Sequence, residues 1–197
     1  MLKAENIIKS FGELTVLDGF SHDFSDGSFT VIMGASGCGK STLLSILMGT
    51  LAPDSGTVTR GGTRYSAVFQ ENRLCENLSA LSNLRLVLGK SKNRFELINE
   101  LEAVGLADAA DKPVRSLSGG MKRRLTLLRA LLAEYDVLFL DEPFKGLDED
   151  TKQTVMAYTK EKTAGRTVIL VTHDKTEAEY FGGNTLFLQQ SQGSQET

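Results

Sequence analysis

One run of residues limits this chain more than any other: Gly34-Ala35-Ser36-Gly37-Cys38-Gly39-Lys40-Ser41-Thr42. It follows the short apolar run of residues 29–33 and precedes Leu43, Leu44, Leu47 and Met48, which recur at helical spacing. The run fits Gly-x-x-x-x-Gly-Lys-Ser/Thr between a strand and a helix, the context that such a loop needs. Gly37 and Gly39 let the backbone curl so that several N–H groups point inward as an anion nest. The helix that follows adds its positive N-terminal dipole. Lys40 is then placed between β and γ phosphates, and Ser41 offers a hydroxyl to Mg²⁺.

A second element points to the same chemistry. Residues 137–140 are a four-residue apolar run, as expected of a strand buried on both faces, and Asp141-Glu142 follows it. In an open α/β sheet the carboxyl ends of the strands face the ligand. Asp141 would hold Mg²⁺ through water, and Glu142 would be free to polarise an attacking water.

The rest of the pattern alternates strands and helices. Phe20, His22 and Phe24 alternate with polar residues before the Asp26-Gly27 turn, and His22 reads as a strand surface residue. Residues 57–60 and 64–69 read as strands after the Pro53-Asp54-Ser55-Gly56 turn. From Gln70 to Lys112 the period is helical, with Leu81, Leu84 and Leu88 on one face. A second helix starts at Asn93, with Glu96 as its capping-box partner, and ends at Gly105. Pro113 stops any helix, and Met121, Leu125, Leu128 and Leu132 then line another helical face. A further helix follows Asp148 and ends at Gly165, and residues 167–172 are a β-branched, apolar strand. The expected fold is α/β with a parallel sheet, an N-terminal antiparallel β sub-lobe and an inserted helical sub-lobe at about residues 71–115. Residues 1–188 are expected to be one domain, and residues 189–197 a polar, frayed tail.

Composition excludes other classes. A chain of 197 residues can bury a sizeable core without a staple, and a net charge of −3 gives no general affinity for nucleic acid or anionic lipid. Arg129, Glu134 and Asp136 break the most apolar long window, so a membrane span is not expected. Cys38 and Cys75 make no disulfide framework, which suits a reducing cytosol. Any membrane role is expected to come through a partner. Cys38, near a helix N-terminus, is expected to be sensitive to alkylation. Cys75 is expected at packing or an interface.

Leu117-Ser118-Gly119-Gly120 lies between the glycine-lysine loop and the Asp141-Glu142 strand. The set, in this order and spacing, resembles the ATP-binding subunits of ABC transporters over essentially the whole chain. The resemblance implies a P-loop nucleoside-triphosphatase core, ATP and Mg²⁺ as cofactors, and ATP hydrolysis. It implies that Phe11 stacks on adenine, that Gly34, Ser36, Gly37, Cys38, Gly39, Lys40, Ser41 and Thr42 hold the phosphates, and that Gln70 senses Mg²⁺ and the γ-phosphate. It implies that His173, after the strand at residues 167–172, contacts the γ-phosphate, and that Gly146-Leu147-Asp148 crosses a dimer interface.

By the same resemblance the site is completed by a second copy or a related ATPase subunit, paired head to tail. Ser118, Gly119 and Gly120 of one subunit would face the phosphate loop of the other. The motion would reach integral membrane permease subunits from the cytoplasmic side, with Leu74, Leu78 and Leu81 as candidate groove lining and sub-lobe core as their alternative. No nucleic acid is expected as a partner. The alternative function is a soluble ABC-type ATPase associated with DNA or the ribosome. The chain has no sustained heptads and room for one such domain, which favours the transporter reading. Residues 68–74, with Met121, are similar to the nitrate/sulfonate/taurine importer group. Two departures stand out: Met121 where many members have Gln, and Lys145 where a small residue is common. Both lie near the expected dimer seam.

Overall fold

The computed structural model describes residues 1–61, 64–89 and 91–189. In chain order the elements are β1 (Leu2–Phe11), β2 (Leu14–Phe24), β3 (Phe29–Met33), α1 (Lys40–Met48), β4 (Ser55–Arg60) and β5 (Tyr65–Val68). There follow α2 (Ala80–Leu88), α3 (Arg94–Ala103), two short 3₁₀ turns, α4 (Gly119–Leu132), β6 (Val137–Asp141), α5 (Glu149–Lys162), β7 (Thr167–Val171), α6 (Lys175–Phe181) and β8 (Asn184–Phe187). They form two sheets. An antiparallel sheet has the order β2-β1-β4, and a parallel sheet has the order β5-β6-β7-β3-β8. The expected fold class is the observed one.

The parallel sheet is covered on both faces because its strands are apolar on both. All five residues of β6 and all five of β7 are buried. Side chains alternate across the sheet at period two. Val137, Phe139, Ile169 and Val171 pack with Leu43, Leu44, Ile46 and Leu47 of α1 and with the antiparallel sheet. Leu138, Leu140, Val168 and Leu170 pack on the other face with residues of α2, α3, α4 and α5. Burying a Val, Leu, Ile or Phe side chain is worth about 1.5–3 kcal/mol, so these two cores dominate the fold's stability.

The helical excursion between β5 and β6 is closed at its base. Ser79 bridges to Pro113, Val114 N–H donates to the Leu78 carbonyl (2.9 Å), and Arg115 N–H donates to that of Glu76 (2.9 Å). Helix α3 begins as the capping box requires: the Asn93 side chain accepts from Glu96 N–H (3.0 Å), and Glu96 accepts from Asn93 N–H (2.6 Å).

Three elements carry no clear sequence signal. In β1 the register shifts between Ala4 and Ile7 and again after Ile7, so the alternation that Leu2 and Ala4 begin is lost. Helix α6 is short and polar, and is started by Asp174, whose side chain accepts from Thr176 N–H (2.8 Å). Strand β8 is an edge strand, largely exposed and held by its pairing with β3. Of the expected tail, residues 190–197 lie outside the described residues.

Candidate active site

Four neighbouring parallel strands, β5, β6, β7 and β3, deliver four polar segments to one edge of the sheet. Gln70 follows β5, Asp141 ends β6 with Glu142 just beyond it, Thr172-His173 follows β7, and the loop at residues 34–39 follows β3. These segments are far apart in sequence, and the parallel register makes them neighbours.

The loop after β3 is built on tight backbone. Gly39 stands at φ 98° as the N-cap of α1, and a Cβ there would lie 2.5 Å from Val16 Cγ1 of β2. A Cβ at Gly34 would lie 2.6 Å from Cys38 Sγ. No side chain caps α1, so its first-turn N–H groups remain available to an anion. Lys40 is buried and folds back over the loop, donating to the carbonyls of Gly34 (2.8 Å) and Ala35 (2.7 Å). Ser36 and Gly37 are exposed and Thr42 is half-buried.

Beside the loop, the Gln70 amide donates to Ser41 Oγ at 3.2 Å. Ser41, Gln70 and Asp141 share the wall of a cleft of about 240 Å³. Asp141 is 6% exposed, and its Oδ1 is buried without a protein partner. Burial pushes its carboxyl above the ordinary Asp range, and the nearby Glu142 charge adds to this; Ser41, Gln70 and Arg123 pull the other way without prevailing. A buried carboxylate oxygen without a donor, next to a serine hydroxyl and an amide, fits a hard divalent cation such as Mg²⁺.

Glu142 differs. Its Oε1 lies 3.0 Å from His173 Nδ1 and its Oε2 lies 3.2 Å from Lys145 Nζ. Burial raises this carboxyl, but His173 and Lys145 outweigh burial and hold it below the usual Glu range. Glu142 also stands at φ 46°, a left-handed conformation that is uncommon for a side-chain-bearing residue. Its neighbour His173 is exposed.

Ser118 is the N-cap of α4, where its Oγ accepts from Met121 N–H (3.3 Å). Gly119 and Gly120 line a second cavity, of about 430 Å³, with Gln70, Asn72, Arg123, Glu142, Lys145 and Gly146. Among the described residues its walls include neither Lys40 nor Ser41. Asp148 caps α5 by accepting from Thr151 N–H (3.0 Å), and the bonds from Thr151 hold its carboxyl below the ordinary range. Phe11, at the tip of the β1–β2 hairpin, is exposed, with Lys9 Nζ 5.5 Å from its ring centroid.

One expectation is corrected, and one choice between alternatives is narrowed. Cys38 is 1% exposed, packed under Gly34, so its thiol is shielded from an alkylating reagent; Cys75 is the exposed cysteine. Leu81 is core, Leu74 packs partly buried against that core, and Leu78 alone of the three is exposed.

Sequence reasoning missed Arg123. It is buried, yet it donates to carbonyls of both the Gln70 segment and the Asp141-Glu142 segment. The signal was present: Arg123 shares a helical stripe with Leu127 and Ala130 at i+4 and i+7, and both are buried.

Residues 17–145 match the family described as ABC transporter. An aliphatic sulfonates import ATP-binding protein of Yersinia pestis is 37% identical over 195 residues, covering 94% of this chain and 72% of that protein. One from Pseudomonas fluorescens is 38% identical over 186 residues, covering 90% and 69%. Among solved structures, the dimeric MJ0796 bacterial ABC transporter cassette superposes with a TM-score of 0.83 at 28% identity, covering 98% of this chain and 97% of that one. Its post-hydrolysis dimer with ADP and phosphate gives 0.81 at 28% identity, with the same coverage. Among the described residues no helix is long and apolar enough to cross a membrane. The chain belongs to the ABC transporter family as an ATP-binding, ATP-hydrolysing subunit of the kind seen in the MJ0796 cassette.

Proposed function

We propose that this chain hydrolyses ATP in a head-to-tail pair, with a second copy or a related subunit, and so powers an integral membrane permease. Residues 1–188 act as one domain, with residues 71–115 as its helical sub-lobe. The observation that carries the reading is the division of labour at the end of β6: a partnerless Asp141 oxygen beside Ser41 and Gln70, and Glu142 held ionised against His173.

In this reading Gly34, Ser36, Gly37, Cys38, Gly39, Lys40, Ser41 and Thr42 cradle the phosphates through backbone and side-chain donors. Lys40 exchanges the Gly34 and Ala35 carbonyls for phosphate oxygens. Ser41, Gln70 and Asp141 would hold Mg²⁺, which would supply charge neutralisation to the bound phosphates. Glu142 accepts a hydrogen bond from the attacking water and orients it toward the γ-phosphorus, and His173 donates to a γ-phosphate oxygen. Phe11 presents its exposed ring to adenine. Ser118, Gly119 and Gly120 turn the N-terminus of α4 toward the partner's γ-phosphate, and Asp148 lies at the seam. The cavity that Gly119 and Gly120 line excludes Lys40, among the described residues, which supports a site completed by a partner. The exposed apolar side chains Leu78, Leu86, Val87 and Phe95 of the excursion support docking to the permease at the cytoplasmic face of the membrane. The sulfonate-import relatives favour import as the direction.

The experiment is a comparison of the parent chain with Glu142→Gln. The parent is expected to hydrolyse ATP at a rate per molecule that rises with protein concentration. Glu142→Gln is expected to bind ATP and dimerise while turnover falls about 10²- to 10⁴-fold. Parent-like turnover in Glu142→Gln removes the base role from Glu142, and dimerisation indifferent to ATP removes the shared site.

A further inference from the structure

Arg123 is 5% exposed and takes no carboxylate oxygen among the described residues. Its guanidinium instead spends its donors on backbone carbonyls. Nη1 donates to Phe69 (2.5 Å) and Gln70 (3.3 Å), Nη2 to Asp141 (2.6 Å) and Glu142 (2.6 Å), and Nε to Pro143 (3.1 Å). These bonds match the five-donor fork of a guanidinium, and no other side chain could make them from one position. Two more side chains of α4 continue the row. Thr126 Oγ1 donates to the Asn72 carbonyl (2.8 Å), and Arg129 Nη2 to that of Arg73 (2.8 Å).

A buried guanidinium carries a desolvation cost that an apolar side chain would avoid. Burial pulls the charge of Arg123 toward neutrality, with Asp141 and Glu142 opposing it. The return is geometric. Gln70 must reach Ser41 from one loop while Asp141 and Glu142 face the reaction from another, and Arg123 is the rivet between them.

Resting on the function proposed above, we infer that Arg123 is a positioning residue for hydrolysis. It sets the Gln70 segment and the Asp141-Glu142 segment at a fixed distance, and α4 carries both when the helix tip at Ser118 moves. Arg123 touches backbone only, so it acts on the reaction through Gln70, Asp141 and Glu142. The phosphate loop does not bond to it among the described residues, so ATP affinity is set elsewhere.

The control is Arg124, the next residue. It ties α4 to the end of α3 through the carbonyls of Val104 (2.7 Å) and Gly105 (3.0 Å), away from the strand ends. Arg123→Gln, Arg123→Lys and Arg124→Gln are purified as full chains. Melting temperature, kcat, KM for ATP and the Mg²⁺ concentration for half-maximal rate are measured for each. Both Arg123 variants are expected to lose about 10- to 100-fold in kcat. Their KM for ATP is expected to stay within about 3-fold, the scale of ~0.65 kcal/mol, while the Mg²⁺ requirement rises about 10-fold. Arg124→Gln is expected to keep all three kinetic values within about 3-fold even with a comparable loss of melting temperature.

The inference is overturned if Arg124→Gln loses kcat in proportion to its melting temperature just as the Arg123 variants do, or if KM rises in step with the fall in kcat. It is also overturned if neither Arg123 variant folds while Arg124→Gln does, since Arg123 is then only structural. A parent chain without Mg²⁺-dependent ATPase overturns the proposed function and this inference together. An active parent with unremarkable Arg123 variants overturns this inference alone.

Discussion

Asp141 and Glu142 are neighbours in sequence and opposites in surroundings. Asp141 faces the Ser41 and Gln70 side, where burial raises its carboxyl and one oxygen has no partner. Glu142 faces the His173 and Lys145 side, where two basic side chains hold its carboxyl low against the pull of burial. The contrast follows from the end of β6: Asp141 is the last strand residue, and the chain leaves the strand at Glu142 in a left-handed conformation (φ 46°) that places this side chain against His173 and Lys145. Asp141 Oδ1 has no donor and its carboxylate no ion-pair partner among the described residues, whereas Glu142 lies 3.2 Å from the Lys145 ammonium. The same two functional groups, one residue apart, are suited to different tasks by the side chains that surround each.

The largest expected effect comes from exchanging each carboxylate for its amide. Asp141→Asn is expected to lower the rate about 100-fold at millimolar Mg²⁺ and to regain part of it as Mg²⁺ is raised, since a weakened ligand can be offset by mass action. The loss in Glu142→Gln should ignore Mg²⁺ at every concentration. A Mg²⁺ titration that rescues both variants alike breaks the distinction between the two carboxylates.

A smaller effect isolates Lys145. Its ammonium helps to hold Glu142 ionised, so Lys145→Ser lets the Glu142 pKa rise. A carboxylate with a higher pKa takes up its proton earlier as pH falls. The acid limb of the kcat profile therefore moves to higher pH, with the rate about 2- to 5-fold lower on that limb and unchanged near pH 8. A profile that stays in place, or one that moves the other way, shows that the ion pair does not govern the base.

How much of this was legible depended on whether the chemistry lay in consecutive residues. The glycine-lysine loop, the apolar run ending in Asp141-Glu142 and the Asn93–Glu96 cap are each local, and each was readable from the chain alone. Strand β1 was not, because its register shifts break the alternation that identifies a half-buried strand. The partners of Arg123 lie 18 to 54 positions away, and all are backbone carbonyls, which leave no residue-type signature. The burial of Cys38 depends on the packing of its thiol under Gly34, which the motif does not encode. The Lys145–Glu142 contact is three residues apart and could be read as a spacing, but the left-handed turn at Glu142 that permits it could not.

The smallest effect tests the comparison without any nucleotide. Asp141 has a raised folded pKa, so the folded protein holds that proton more tightly than the unfolded chain. Stability from this group is present at low pH and lost as pH rises through the raised value. Glu142 has a lowered folded pKa, so its contribution is present above the ordinary Glu value and lost as pH falls through the lowered one. At neutral pH, Asp141→Asn thus removes an unfavourable buried charge and is expected to raise the melting temperature by about 2–4 °C, the equivalent of ~1 kcal/mol in a domain of this size. Glu142→Gln removes a favourable charge and is expected to lower it by about 1–3 °C. Scanning calorimetry of the two amides at pH 7 and again at pH 4 reads the signs directly. Shifts of the same sign at pH 7, or a difference that persists undiminished at pH 4, place both carboxylates in one electrostatic environment and remove the basis for assigning them different tasks.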